Sequence, residues 1–509
     1  MFCTMNSLGL TGIEPYMVSV EVDVRRGLPG FEIVELPDTA VKESRDRVKS
    51  AIQNLGYQLP QYKIVANLAP ADTKKIGSVY DLPILLGLIA ASGYEQLEFG
   101  NTAIVGEIGL SGEVRGVPGV LPMVLDARRL GLSRVIVPMQ NAAEAAVVQD
   151  VEVLCAAHAR EVVAFLRGDA PLAPASGVSA RVKAQPPLPD LADVKGQEEA
   201  RRALEIAAAG GHNLLLIGPP GTGKSMLARR LPSILPPMTR AEAIETTKVY
   251  SVAGELAQGA PLLRNRPFRA PHHTASPAAL TGGGPQAKPG DVSLEHNGVM
   301  FLDELPEFSK ISLEVLRQPL EDGFVSISRV RQRLTYPSRV MLVAAMNPCP
   351  CGFYGHPTRP RYRCAPAAAQ RYLGRVSGPL LDRIDLHIEV LPVGYGEISV
   401  RRGGEPSSAV RERICAARDR QSVRFAGTPV VCNAMIPASM LADACEMDVA
   451  ASRLLKSAFE RLELSARGYD RILKVARTVA DLDGAEQIGA VHISQAVQLR
   501  GLDRKYWMR

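Results

Sequence analysis

The stretch NLLLIGPPGTGKSMLARRL, residues 213–231, constrains the fold of this chain more than any other. It carries the spacing GxxxxGK[ST] from Gly218 to Ser225, after an apolar tetrad at 214–217 and before a run expected to be helical over 225–231. Strand, Gly-rich turn and helix in that order make a phosphate cradle. Glycines let backbone N–H groups curl around phosphate oxygens, and the helix N-terminus adds a favourable dipole. Gly218, Pro219, Pro220, Gly221, Thr222 and Gly223 form the turn. Lys224 supplies charge for the β- and γ-phosphates of ATP, and Ser225 a hydroxyl for Mg²⁺. A parallel α/β core is the expected setting.

GVMFLDELPEF (298–308) supplies the second half of such a site. Its apolar strand delivers Asp303 and Glu304 to a carboxyl end, where open α/β sheets bind ligands. Asp303 is the expected Mg²⁺ partner, and Glu304 the base that activates water. RVMLVAAMN (339–347) reads as another buried strand, ending at Asn347, whose amide suits a sensor of the γ-phosphate. Together these residues describe an ATP hydrolase.

With 509 residues the chain has room for about two to four domains. Alternation over 17–24 predicts a strand, and Val41, Val48, Ile52 and Leu55 share one face of a helix expected over 39–56. Gly- and Pro-punctuated strands are expected over 102–120, so an α+β domain fills 1–167. The Pro-, Ala- and Ser-rich span 168–190 reads as a linker. An α/β core follows over 191–393, and 394–509 reads as helical. The longest apolar stretch, 82–92, is too short to cross a bilayer. Eight cysteines in no disulfide-like array fit reduced thiols in a cytoplasmic protein. Net charge is only +6, but 264–269, 328–333 and 359–363 concentrate arginines without an interleaved acid, which points to nucleic acid.

The arrangement resembles the AAA+ ATPases. The resemblance makes Arg383 of GPLLDRIDLH the arginine finger, reaching a neighbour's γ-phosphate. It makes Arg467 of LSARGYDRILKVAR the lid-helix sensor, with Arg471 as second choice. A Pro- and Gly-rich insert around 266–284 and a hairpin over 324–340 are typical of the branch that includes magnesium-chelatase ATPase subunits and MCM helicases. In that branch both point into a ring's channel, where Arg329, Arg331 and Arg333 suit phosphate contacts. His272 and His273, as sequence neighbours in a strand, point apart and are expected to serve packing or insert contacts. GLPGFEIVELPDTAVKESRDRVKSAI, VANLAPADTKKIGSVYDLPILLGLIAASG, RPFRAPHHTASPAAL and LSARGYDRILKVARTVADL are similar to segments of the bacterial YifB/ComM family, and the likeness covers nearly the whole chain. It implies a Lon-protease-like N-terminal domain, a AAA+ core and a helical chelatase-type lid. It further implies a homo-hexamer moving single-stranded, forked or junction DNA, with recombination proteins as partners, in branch migration during natural transformation.

Two departures stand against the family pattern. Lon peptidases need a lysine to activate a serine. Here Ser78 does not have Lon's serine spacing, and Leu121 stands about where the lysine should fall, so the N-terminal domain reads as a non-catalytic platform. Lys42, Arg45, Arg47 and Lys49 make its helix basic. The resemblance implies that many relatives carry a second CxC pair, where this chain has Tyr362 and Cys364. Cys349, Cys351 and Cys364 with His356 as fourth ligand would form a Zn²⁺ site, and a plain loop behind the sensor is the competing reading. A chelatase-like motor acting on a protein partner is the alternative function, and an ATP-dependent peptidase a third.

Overall fold

Sheets of eight and five strands organise the chain in this computed structural model. The structure describes every residue except 179–186, 258, 285–286, 329–332, 355–363, 395, 397–403 and 508–509, and omits the side chains of 503 and 504. The larger sheet is mixed. From one edge it runs Ala173–Pro174, Glu152–Ala156, Arg134–Pro138, Thr102–Ile104, Phe2–Thr11, Glu14–Arg25, Lys63–Ala69, Gly30–Val34. The alternation expected over 17–24 belongs to Glu14–Arg25, with Val18, Val20, Val22 and Val24 buried. Helix Thr39–Asn54 starts where the Asp38 side chain accepts from the Val41 N–H, and it buries Val41, Val48 and Ile52 against the sheet's core.

The expected linker starts too early. Ala173–Pro174 pairs with Glu152–Ala156 at the sheet edge, and Leu172 and Ala175 are buried in the first core. Ala and Pro pack at a sheet edge as readily as they extend a linker, so composition cannot separate the two.

The smaller sheet is parallel throughout, in the order Phe268–Arg269, Val299–Leu302, Met341–Met346, Leu214–Ile217, Leu386–Glu389. Leu214–Ile217, Val299–Leu302 and Met341–Met346 are buried along their whole lengths, as a sheet covered on both faces requires. The strand ending before Asn347 lies between the phosphate-loop strand and the acid-bearing strand. That order gathers Lys224, Asn347 and Asp303 at one end of the sheet. The helix after the phosphate loop is shorter than the expected 225–231. It runs Lys224–Ala228, and a second segment, Leu231–Ile234, begins where Pro232 has no N–H to continue the first.

Helices Ser407–Arg424, Val449–Leu462, Ala466–Leu482 and Ala490–Gln498 pack on the core that contains Leu214 and Val343, through Ile414, Leu455, Ile472, Val479 and Ile493. The N-terminal sheet meets the part of the chain built on the smaller sheet through helix Arg240–Ala253. There the Ser251 hydroxyl donates to Glu144 Oε2 at 2.5 Å, and the Gly119 N–H to the Ser251 carbonyl at 2.9 Å. No helix among the described residues is long and apolar enough to cross a membrane.

Candidate active site

The phosphate loop is built around side chains it has no room for. A Cβ at Gly218 would lie 2.1 Å from the Val390 carbonyl, and Gly221 and Gly223 take φ of +80° and +91°. The Lys224 ammonium curls back into the loop. It donates to the carbonyls of Gly218 at 2.7 Å and Pro219 at 2.8 Å, and to Asn347 Oδ1 at 3.1 Å. Burial lowers its pKa to about 8, against the opposing pull of the Asp303 carboxylate. Thr222 Oγ1 closes the turn by donating to the Pro219 carbonyl at 3.0 Å.

The Ser225 hydroxyl donates to Asp303 Oδ2 at 2.6 Å, and Asp303 Oδ1 accepts from the Glu304 N–H at 2.9 Å. A hydroxyl and a carboxylate held together at a phosphate cradle are hard oxygen donors of the kind Mg²⁺ takes, so the residues fit that ion. Glu304 is exposed and turns its backbone to a φ of +51°. His273 Nδ1 lies 3.3 Å from its Oε2.

His272 and His273 do not point apart in a strand. They sit just beyond edge strand Phe268–Arg269, with ring centroids 4.1 Å apart. Phe268 pairs with Val299 and Arg269 with Met300, and the turn that follows this edge strand brings His273 beside Glu304. Only the fold reveals this neighbour. Gln197 is a second residue that sequence reasoning passed over. At φ +59° its Nε2 donates to the carbonyls of Thr222 at 3.3 Å and Leu391 at 2.6 Å, tying the loop to the end of the last strand.

Arg383 and Arg467 lie elsewhere. They line a cleft of about 460 Å³ with Arg471, Lys474 and Asp385, and no phosphate-loop residue borders it. Arg383 donates to the Pro379 carbonyl at 2.7 Å and pairs with Glu321; Arg467 is exposed in the first turn of helix Ala466–Leu482. One chain therefore holds Lys224, Ser225, Asp303, Glu304 and Asn347 in one place, and the two arginines in another.

Residues 190–398 fit the family model "Magnesium chelatase, subunit ChlI", 20–141 fit "Subunit ChlI of Mg-chelatase", and 404–500 fit "Magnesium chelatase, subunit ChlI C-terminal". The protein YifB of Salmonella typhimurium is 45% identical over 500 residues, covering 97% of this chain and 96% of its own. The competence protein ComM of Haemophilus influenzae is 45% identical over 502 residues, covering 97% and 96%. The chain belongs to the YifB/ComM family of magnesium-chelatase-like proteins. The family brings AAA+-type ATPase chemistry, with ATP and Mg²⁺.

Within this YifB/ComM chain the basic features sort unequally. Arg333 is exposed on hairpin Phe324–Ser328/Arg333–Pro337, 3.4 Å from Ser326 Oγ; Arg329 and Arg331 lie outside the described residues. In the 264–269 cluster, Arg266 and Arg269 are engaged with acids and Arg264 is exposed. Arg266 pairs with Glu242 at 3.0 Å, and Arg269 with Glu255 and with Asp291 at 3.1 Å, acids that the fold brings in from distant positions. In the N-terminal helix, Arg47 is likewise engaged, with the buried Asp81 at 2.6 Å.

Lon protease 2 of Bacillus subtilis is 30% identical over 138 residues, 26% of this chain and 25% of that protein. The serine that came into question, Ser78, donates to the Glu107 carboxylate, while Leu121 is buried in helix Val120–Leu125. Lys75, also buried, donates to the Pro70 carbonyl. Of the cysteine set, Cys349, Cys351 and Cys364 converge, and His356 lies outside the described residues.

Proposed function

We propose that the chain is a ring-forming, hexameric AAA+ ATPase of the cytoplasm. It couples ATP hydrolysis to movement along single-stranded, forked or junction DNA, with branch migration in recombination as the process served. The observation that carries this reading is the separation of Lys224, Ser225, Asp303 and Asn347 from the cleft of Arg383 and Arg467. A nucleotide site lacking its arginines and an arginine cleft lacking its loop complete each other between neighbouring copies. The name of the Haemophilus relative, a competence protein, supports natural transformation as the setting, and recombination proteins are the partners that branch migration would require.

Lys224 would exchange its Asn347 and carbonyl contacts for the β- and γ-phosphates, releasing Asn347 to hydrogen-bond the γ-phosphate or the attacking water. Ser225 and Asp303 would hold Mg²⁺, which would supply positive charge against the phosphates when bound. Glu304 accepts the water's proton, and His273 fixes where that carboxylate stands before reaction. Arg383 of the neighbouring copy would offset the charge that develops in transfer, and Arg467 would report the state of the site to the helical lid. Arg333, with Arg329 and Arg331, would track the DNA backbone.

The test is the ATPase rate with and without forked and four-way-junction DNA, with Lys224→Ala as the inactive control. Stimulation accompanied by junction movement is expected. The three chelatase-subunit matches favour a second reading, a motor that remodels a protein partner, and a rate indifferent to DNA would select it.

A further inference from the structure

Cys349 is buried behind the sensor strand, two residues beyond Asn347, and is followed by a tight turn. The Gly352 N–H donates to the Cys349 carbonyl at 2.9 Å across Pro350 and Cys351, and Gly352 itself sits at φ +83°. This turn brings the Cys351 sulfur back to 3.3 Å from that of Cys349. Cys364 arrives just ahead of helix Pro366–Leu373, and the three sulfurs lie within 4.8 Å of one another. None of the three is in a disulfide.

Zn–S bonds of about 2.3 Å in a tetrahedron hold sulfurs about 3.8 Å apart, so the observed spacing needs only tenths of an ångström of adjustment at the closest pair. A disulfide between any two would leave the third thiol beside it without a function. Thiolates also select soft cations over the Mg²⁺ that suits Ser225 and Asp303.

The turn is wedged against the nucleotide site. A Cβ at Gly352 would meet Pro220 Cδ of the phosphate loop at 2.3 Å. Cation binding would therefore pin the segment after Asn347 against the loop that holds Lys224.

We propose that Cys349, Cys351 and Cys364 bind one zinc ion, with an exchangeable fourth ligand, and that this ion latches the sensor turn to the phosphate loop. The latch, though not the ion, rests on the ATP-site reading.

The full-length chain, loaded with Zn²⁺ and freed of excess by gel filtration, is expected to retain one ion per chain by elemental mass spectrometry. Cys351→Ser and Cys364→Ser should lose it, while Lys224→Ala should keep it. Co²⁺ substituted for zinc should give thiolate-to-metal charge-transfer absorption. Zinc should also slow maleimide labelling of Cys351 and Cys364 in the unaltered chain, a readout that survives if a variant fails to fold. No retained zinc and labelling indifferent to zinc would overturn the site. A Cys349–Cys351 disulfide formed in the presence of zinc would do the same. With Mg²⁺ supplied throughout, stripping zinc should weaken binding of a fluorescent ATP analogue several-fold, and unchanged affinity would overturn the latch. The zinc count needs no nucleotide, so a zinc-free chain that still hydrolyses ATP would defeat this inference alone.

Discussion

Lys224 shows how much of the site one side chain organises. Its ammonium bridges the phosphate loop and Asn347, and burial has already lowered its pKa to about 8. Phosphate charge favours the cation, so nucleotide binding must raise that pKa. Above pH of about 8 the free lysine is neutral and binding takes up a proton; affinity should fall as pH rises through that value. Calorimetry in buffers of different ionisation enthalpy at alkaline pH reads the proton directly. Glu304→Gln should keep nucleotide binding and lower turnover by about 10²–10⁴-fold, read as single-turnover hydrolysis against binding of an ATP analogue. Gly218→Ala should distort the phosphate loop and weaken nucleotide binding, since its Cβ would press on the Val390 carbonyl, and nucleotide affinity is the measurement. The GxxxxGK[ST] spacing made Lys224 and Ser225 legible because their chemistry is local. His273 was not legible, because its place beside Glu304 depends on a turn beyond an edge strand that pairs with the distant strand Val299–Leu302.

At the scale of elements, two buried carboxylates hold helices in place. Asp481 in helix Ala466–Leu482 accepts from Arg424 at 2.9 Å, Arg477 at 3.1 Å and Asn433 at 2.7 Å, with no exposure of its own. Asp481→Ala would leave two guanidiniums uncompensated and should cost about 3–5 kcal/mol, seen in denaturant unfolding of the helical portion. Glu144 sits where helix Arg240–Ala253 meets the N-terminal unit. Burial raises its pKa, against hydrogen bonds from Ser251, Asn141 and the Leu121 N–H. A folded-state pKa above the unfolded value means stability that is full below the ordinary carboxylate range and is lost as pH rises through the raised value. Glu144→Gln should remove that loss, so melting temperatures of variant and parent should diverge on the alkaline side of the carboxylate range. Neither interaction was visible in the sequence. Alternation in 17–24 and the apolar face of the first helix were, since a strand or a helix writes its own period. Ala173–Pro174 was not, because an edge strand of two residues has no period to read.

The whole molecule sets the terms on which these elements work. Parallel order in the smaller sheet brings acid, sensor and loop to one end, while Arg383 and Arg467 open into a different cleft. The sequence named all of these residues, but could not say which of them meet within one chain. Their separation follows from the strand order and from the Glu321 and Pro379 contacts that hold Arg383 where it is. A site divided in this way should be active only in an assembly. The most direct test mixes two variants, Lys224→Ala and Arg383→Ala, and measures ATP hydrolysis alone and together. Each variant alone is expected to be inactive, and the mixture to regain hydrolysis wherever an intact loop faces an intact arginine. Full activity of Arg383→Ala by itself, or hydrolysis by a chain kept monomeric, would contradict the shared site.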